Sequence, residues 1–342
     1  MKQTALIIGA TGGVGSETAR VLLARGWTVR ALHRDPESAK RRMTSLAGLE
    51  WLKGDAMNAA DVLSAASGAS IVFHGANPPG YRNWKGLALP MLENSIAAAK
   101  AAGARLVFPG TIYNFSPEVF PLLSEKTPQR PKTRKGAIRV AMEQRLAQAA
   151  GEGVPVLIVR AGDFFGAAAQ NSWFSQGLVK PGKPLRSLMY PGNREAGHAW
   201  AYLPDLAETI VQLVERQAEL QPFEVFHFEG HWFERGVEIA EATRRVAGVP
   251  NARIWSFPWL VVYAMAPFVE TFRELVEMKY LWSSAAKLDH QKLLVSSAKS
   301  RTRRWTKRCA PPRTGWVALG ISDTNRARDG FANRALLRRA LM

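Results

Sequence analysis

Residues 6–15 read LIIGATGGVG, with glycines at 9, 12 and 15. A short apolar strand leads into the first glycine, and a helical stretch opens around the last. Each glycine has a separate use. Gly9 permits a tight turn, Gly12 lets the backbone approach a pyrophosphate, and Gly15 lets the helix pack on the strand. A helix start offers free N–H groups and a partial positive charge to phosphates. The spacing therefore predicts that Gly9, Thr11, Gly12, Gly13, Val14 and Gly15 cradle the diphosphate of a dinucleotide. The plain alternative is a strand–turn–helix without a ligand. The place of the motif, on the first strand, weighs against it.

A second group is basic. Lys135 and Arg139 are four apart, on one face of a predicted helix. An ordinary lysine, with a pKa of about 10.4, is a poor base at neutral pH. A desolvating pocket lowers that value, and a bound phosphate raises it. Lys135 is then a proton donor, an electrostatic clamp on a cofactor, or one of a basic surface cluster with Lys132 and Arg134. Nearby Thr111 and Tyr113 supply hydroxyls.

The elements that must position these residues alternate. Apolar runs predict strands over 5–9, 27–33, 49–53, 70–74, 105–109 and 154–160. Helices are predicted over 13–25, 38–47, 58–66, 87–102 and 136–150, with Gly103 as a C-cap. This alternation predicts an α/β fold: a doubly wound parallel sheet with helices on both faces. After residue 160 the pattern loosens. Residues 161–200 are rich in Gly, Pro and aromatics. Helices are predicted over 204–217, 236–247 and 257–280, the last broken near Pro267, with a strand over 225–228. The expected division is a cofactor domain over 1–160, a smaller substrate lobe over 161–296, and a basic tail over 297–342.

Composition limits the function classes. The chain has 342 residues, 47% of them hydrophobic, and one cysteine, Cys309. No uninterrupted apolar stretch of about 18 residues predicts a membrane span. A cytoplasmic protein without disulfides is expected. The net charge is +18, which invites a nucleic-acid reading. Its distribution argues otherwise: residues 297–342 carry twelve Lys/Arg against two acidic residues, over half of the excess. The tail reads as a basic arm for nucleic acid or anionic membrane, or as disordered. No nucleic-acid or membrane partner is expected for the body. The histidines at 74, 227 and 231 lack metal-ligand spacing with carboxylates, so no metal is expected.

Taken together, GATGGVG at 9–15, Gly54-Asp55, VFHGA at 72–76, the helix containing Asn94, RAGDFFG at 160–166 and AYLPDLAETI at 201–210 resemble the short-chain dehydrogenase/reductase superfamily, in its extended or atypical branch. The resemblance covers residues 1 to about 295 and implies a Rossmann fold with a smaller C-terminal substrate lobe. It implies cofactor contacts at Asp55 and Ala56, at Gly75 and Ala76, and at Gly162, Asp163 and Phe164. The last three would lie near a nicotinamide. Thr111 would stand near the family's catalytic serine or threonine. The family's Tyr-x-x-x-Lys is replaced at the expected helix by Lys135-x-x-x-Arg139, followed by Glu143. That form resembles isoflavone-reductase-like and NmrA-like members, in which the lysine is the proposed acid/base. The literal match, Tyr81 to Lys85, comes too early in the fold and is a decoy.

Coenzyme choice is read at the end of the second strand, Val29-Arg30-Ala31-Leu32-His33-Arg34. NAD-preferring members place an acid there. Arg34, helped by Arg30, suits a 2′-phosphate, and Asp35 comes one step late. NADP(H) is favoured, with NAD(H) as the second choice. Phe165, Trp173, His198 and Trp200 line an aromatic substrate pocket or form the core of the lobe. The leading expectation is an NADP(H)-dependent oxidoreductase acting on a small carbonyl or enone, as a monomer or homodimer. The alternatives are a nucleotide-sugar epimerase or dehydratase and a non-catalytic NAD(P)-binding redox sensor. The resemblance also bears on the tail. GC-rich codons for KSRTRRWTKRCA, residues 299–310, can spell EEPHTPLDEAVR one base earlier. That string resembles the C-terminal stretch of extended members, so out-of-frame translation is a further reading of the tail, decided by sequencing the gene.

Overall fold

The computed structural model describes residues 3–78, 83–170, 172–179 and 184–298. Tyr81 and all but the first two residues of the basic tail lie outside them. Fourteen strands are present among the described residues. They are β1 (Thr4–Ile8), β2 (Thr28–His33), β3 (Glu50–Lys53), β4 (Ile71–His74), β5 (Arg105–Gly110), β6 (Leu122–Leu123) and β7 (Val156–Ala161), then β8 (Asp163–Phe165), β9 (Ser187–Tyr190), β10 (His198–Tyr202), β11 (Phe223–Phe228), β12 (His231–Phe233), β13 (Arg253–Ser256) and β14 (Lys287–Leu288). The chain divides into two compact units. Unit 1 holds residues up to 116, 128–161 and 206–226; unit 2 holds 117–127, 162–205 and the residues from 227 on.

Unit 1 is a doubly wound sheet in the order β11-β7-β5-β4-β1-β2-β3. From β7 to β3 every neighbouring pair is parallel. The chain reverses its direction of winding between β1 and β4, and ligands of such sheets bind at that crevice, outside the carboxyl ends of the strands. The inner strands β1, β4, β5 and β7 are buried and mostly apolar because both faces are covered. On one face Leu6, Ile8, Val72, Leu106 and Ile158 pack with α3 (Ala59–Ala65), α4 (Trp84–Ala102) and α5 (Arg134–Gly151).

Local sequence sets the helix ends. Gly12 stands at the N-cap of α1 (Gly13–Ala24), with no side-chain cap and no acid in the first turn. Asp35 caps α2 (Pro36–Arg42), accepting from the N–H of Ser38, and Lys40, Arg41 and Arg42 complement its C-terminus. Asn58 caps α3 and Thr133 caps α5. Gly103, at φ 63°, ends α4 where a side chain would be strained.

Unit 2 contains the three-stranded sheet β12-β10-β8 and the parallel pairs β9–β13 and β6–β14. Its core joins Phe165, Phe174, Tyr190, Trp200, Phe233 and Trp282. The expected irregular stretch thus holds strands of three to five residues. They escape a periodicity search because they are short and β10 is buried on both faces. The helical stretch at 257–280 breaks as expected, into Trp259–Met265 and Glu270–Met278.

Two buried histidines make stability depend on pH. His74, in unit 1, is pushed down to about 3 by burial and then by the Arg139 charge. His231, in unit 2, is pushed down to about 4 by burial. Both are neutral when folded, while the unfolded chain takes up their protons near pH 6.5. Their contribution is complete above that pH and is lost as pH falls toward 4 and then 3. Thermal melts from pH 7.5 to 5 should show a falling Tm, with a slope reduced in His74→Gln. A Tm that rises on acidification would contradict this.

Candidate functional site

At the opening turn three backbone segments meet. Gly9 has φ 95°, and its carbonyl accepts the N–H of Gly12 at 3.0 Å. A Cβ on Gly15 would lie 2.3 Å from the Gly9 carbonyl oxygen, and one on Gly9 would lie 2.7 Å from the Gly75 carbonyl. The Gly75 N–H donates to the Ile8 carbonyl at 2.8 Å, so the segment after β4 is stitched to β1. Thr11 and Gly12 are exposed, and Gly13 and Val14 are half-buried. An exposed, uncapped helix start without acids fits a diphosphate. The structure thus brings Gly9, Gly12, Gly15, Gly75 and Ala76 together.

Past the end of β2, Arg34 is exposed and Asp35 is engaged in its helix cap. Arg30 lies elsewhere. Its Nη1 donates to the Ser67 carbonyl at 2.6 Å and its Nε pairs with Glu50 at 3.4 Å. The loop after β3 is pinned. The N–H of Asp55 donates to Asp61, the Asp55 carboxylate accepts the Met57 N–H, and Asn94 donates to the Ala56 carbonyl.

Lys135, in the first turn of α5, is 3% exposed. Thr111 caps the turn over residues 112–114: its hydroxyl accepts the Tyr113 N–H at 3.3 Å and donates to Asn114 at 3.4 Å. Tyr113 is half-buried. A Cβ on Gly136 would lie 2.3 Å from the Tyr113 carbonyl oxygen, so glycine after Lys135 lets the turn seat on α5. Behind the turn runs a polar ring. Asn114 donates to Gln129 at 3.0 Å, Gln129 donates to Glu143 at 2.6 Å, and Arg160 donates to Glu143 at 2.6 Å and to the Thr111 carbonyl. Arg160 also lies over the Phe115 ring at 5.1 Å. Arg139 is buried too, with Nη2 donating to Asn77 at 2.8 Å. This ring escapes a motif search because its members are far apart in sequence. The one available signal is a charged residue, Arg160, inside the apolar run of β7.

The remaining candidates lie in unit 2. The carboxylate of Asp163 and Nε2 of His198 are 2.8 Å apart. The His198 ring stacks on Trp282 at 4.2 Å and 11°. Gly162 packs on Ala199, where a Cβ would come within 2.7 Å of the carbonyl oxygen, and Phe164 pairs with Ala201 in the sheet. Phe165 and Trp200 sit in the core. Trp173 packs against Phe257, Trp259 and Trp282. Tyr190 is pushed above the usual phenol range by burial, then by the Asp163 charge. Among the described residues, no group of three or more His, Cys, Asp or Glu could hold a metal ion.

A family model described as NAD(P)H-binding matches residues 9–165, the stretch that contains the glycine turn, Lys135 and the polar ring. Cinnamoyl-CoA reductase 1 from Oryza sativa subsp. japonica is 38% identical over 82 residues, 22% of this chain and 24% of that protein. The chain thus matches about a quarter of the length of this curated relative. Among solved structures it is similar to UDP-glucose 4-epimerase from Bifidobacterium longum in complex with NAD+ and UDP. The TM-score is 0.63 at 15% identity, over 85% of this chain and 91% of that one. It is also similar to a nucleoside-diphosphate-sugar epimerase from Pseudomonas aeruginosa, with a TM-score of 0.63 at 18% identity over 99% and 96% of the two chains. At these identities the similarity is one of fold.

The ring makes a stability prediction. Arg160→Leu leaves the buried Glu143 carboxylate without its cation, a loss of about 3–5 kcal/mol on the scale of broken buried pairs. Urea denaturation should show it. A loss under about 1 kcal/mol, the size of an exposed pair, would contradict a buried ion pair.

Proposed function

We propose that this protein is an NADP(H)-dependent oxidoreductase that moves a hydride between nicotinamide and a small carbonyl or enone substrate, as a monomer or homodimer. The observation that carries the coenzyme choice is the pairing of an exposed Arg34 with an Asp35 already engaged in a helix cap. A guanidinium there suits a 2′-phosphate through charge-assisted hydrogen bonds. NAD(H), which lacks that phosphate, is the weaker ligand on this reading. A bound NADPH supplies the hydride.

The protein's own residues hold, orient and protonate. Gly9, Gly12 and the first turn of α1 hold the diphosphate. Lys135, buried in the first turn of α5, is the acid that protonates the reduced oxygen or carbon. Tyr113, half-buried on the turn that seats against α5 beside Lys135, is the orienting hydroxyl. The similarity to a protein named a reductase supports reduction as the chemistry. The similarity to epimerases favours a second reading, rearrangement of a nucleotide-linked sugar. Lysine in the place of the family's tyrosine weighs against it.

NADPH should bind more tightly than NADH by calorimetric titration. Arg34→Ala should weaken NADPH by about 10–100-fold, the range for hydrogen bonds to a charged group, and leave NADH nearly unchanged. An equal loss for both coenzymes would remove Arg34 from the 2′-phosphate. With a panel of ketones, enones and quinones, absorbance at the NADPH band should fall. Lys135→Ala should abolish that turnover while NADPH still binds. Binding without turnover across the panel would favour the sensor.

A further inference from the structure

Arg139 joins four parts of unit 1. It lies on α5, 4% exposed. Its guanidinium carbon is 5.3 Å from the ring centroid of Trp84, which opens α4, and 5.2 Å from that of Phe108 in β5. Its Nη2 donates to the side-chain oxygen of Asn77 at 2.8 Å. Asn77 itself is exposed and follows Gly75 and Ala76. Those two residues supply the backbone atoms that a Cβ on Gly9 would meet, at 2.7 and 3.0 Å. An unbroken run of contacts therefore leads from α5, through Arg139 and Asn77, to the backbone that packs on the glycine turn.

The chemistry suits a pin. A planar guanidinium close to two aromatic rings gains from their π systems and still directs an N–H in its plane. An ammonium has no such plane. His74, the residue before Gly75, bonds through Nδ1 to the Ser95 hydroxyl at 2.7 Å. That hydroxyl donates onward to the Met91 carbonyl, so Nδ1 carries the imidazole hydrogen. The ring is neutral.

We infer that Arg139 is a positioning residue for the coenzyme. It holds residues 75–77 against Gly9, and its effect on affinity passes through Asn77. This rests on the reading that unit 1 binds NADP(H). The competing use of a cation here is direct charge contact with the bound nucleotide, which lysine would preserve.

Three variants separate the two: Arg139→Lys, Asn77→Ala and the double variant. Each is titrated with NADPH, melted, and followed by hydrogen exchange at residues 74–78 without coenzyme. Each single variant should weaken NADPH by about 3–30-fold, inside the range for coupled pairs, and the double variant no more than the worse single one. Exchange at 74–78 should quicken in both. The inference is overturned if Arg139→Lys binds like wild type, if the two losses multiply, or if exchange at 74–78 is unchanged. Absence of NADPH binding by wild type would instead remove the coenzyme reading, and the exchange result would still decide the restraint. If Arg139→Lys does not fold, the exposed Asn77→Ala decides: unchanged exchange overturns the inference and faster exchange supports it.

Discussion

The architecture of unit 1 depends on how closely bare backbone can approach the Gly9 carbonyl. That oxygen receives the Gly12 N–H and occupies the space a Cβ on Gly15 would need. Gly9 itself leaves room for the Gly75 backbone. Strand β1, helix α1 and the segment after β4 therefore meet with no side chain between them. The contact sets the angle at which α1 leaves the sheet. It also leaves the helix start open, because the residue at the N-cap has no side chain to fold back over the first-turn N–H groups.

Helix α5 shows a second constraint, charge that is buried rather than displayed. Lys135, Arg139 and Glu143 recur every four residues, a spacing that ordinarily marks a solvated face. Here the three are at most 4% exposed. Such charges survive in an interior only where partners are fixed. Glu143 meets Arg160 and Gln129, and Arg139 meets Asn77 and two aromatic rings. The polar groups thereby prescribe one arrangement of α5, the 112–114 turn and the 75–77 segment, where an apolar interface would tolerate sliding.

Much of unit 1 was legible in the sequence, for a physical reason. Strands buried on both faces read as unbroken apolar runs, and glycines and caps punctuate the helices between them. The opening turn was legible because only glycine allows those backbone distances. The interior of α5 was not, since its partners sit 14 and 17 residues away, Gln129 in a loop and Arg160 in a strand. Arg30 and Arg34 look equivalent in sequence. One is drawn to the Ser67 carbonyl and Glu50, and the other stays exposed. Unit 2 was legible only in its helices. Its short aromatic strands carry no alternation, and the link between Asp163 and His198, 35 residues apart, has no sequence period.

On the proposed reading the start of α1 receives the coenzyme diphosphate. Gly12→Asp tests it most directly, because φ at this position is −85° and any residue can adopt it. A Cβ there lies 3.3 Å from the Gly9 carbonyl oxygen, a tight contact, and the helix cap that aspartate supplies offsets its cost, so thermal stability should change little. The same carboxylate occupies and repels the phosphate site, so NADPH affinity measured by calorimetry should fall by about tenfold or more. Undiminished NADPH binding by a well-folded Gly12→Asp protein would contradict the claim.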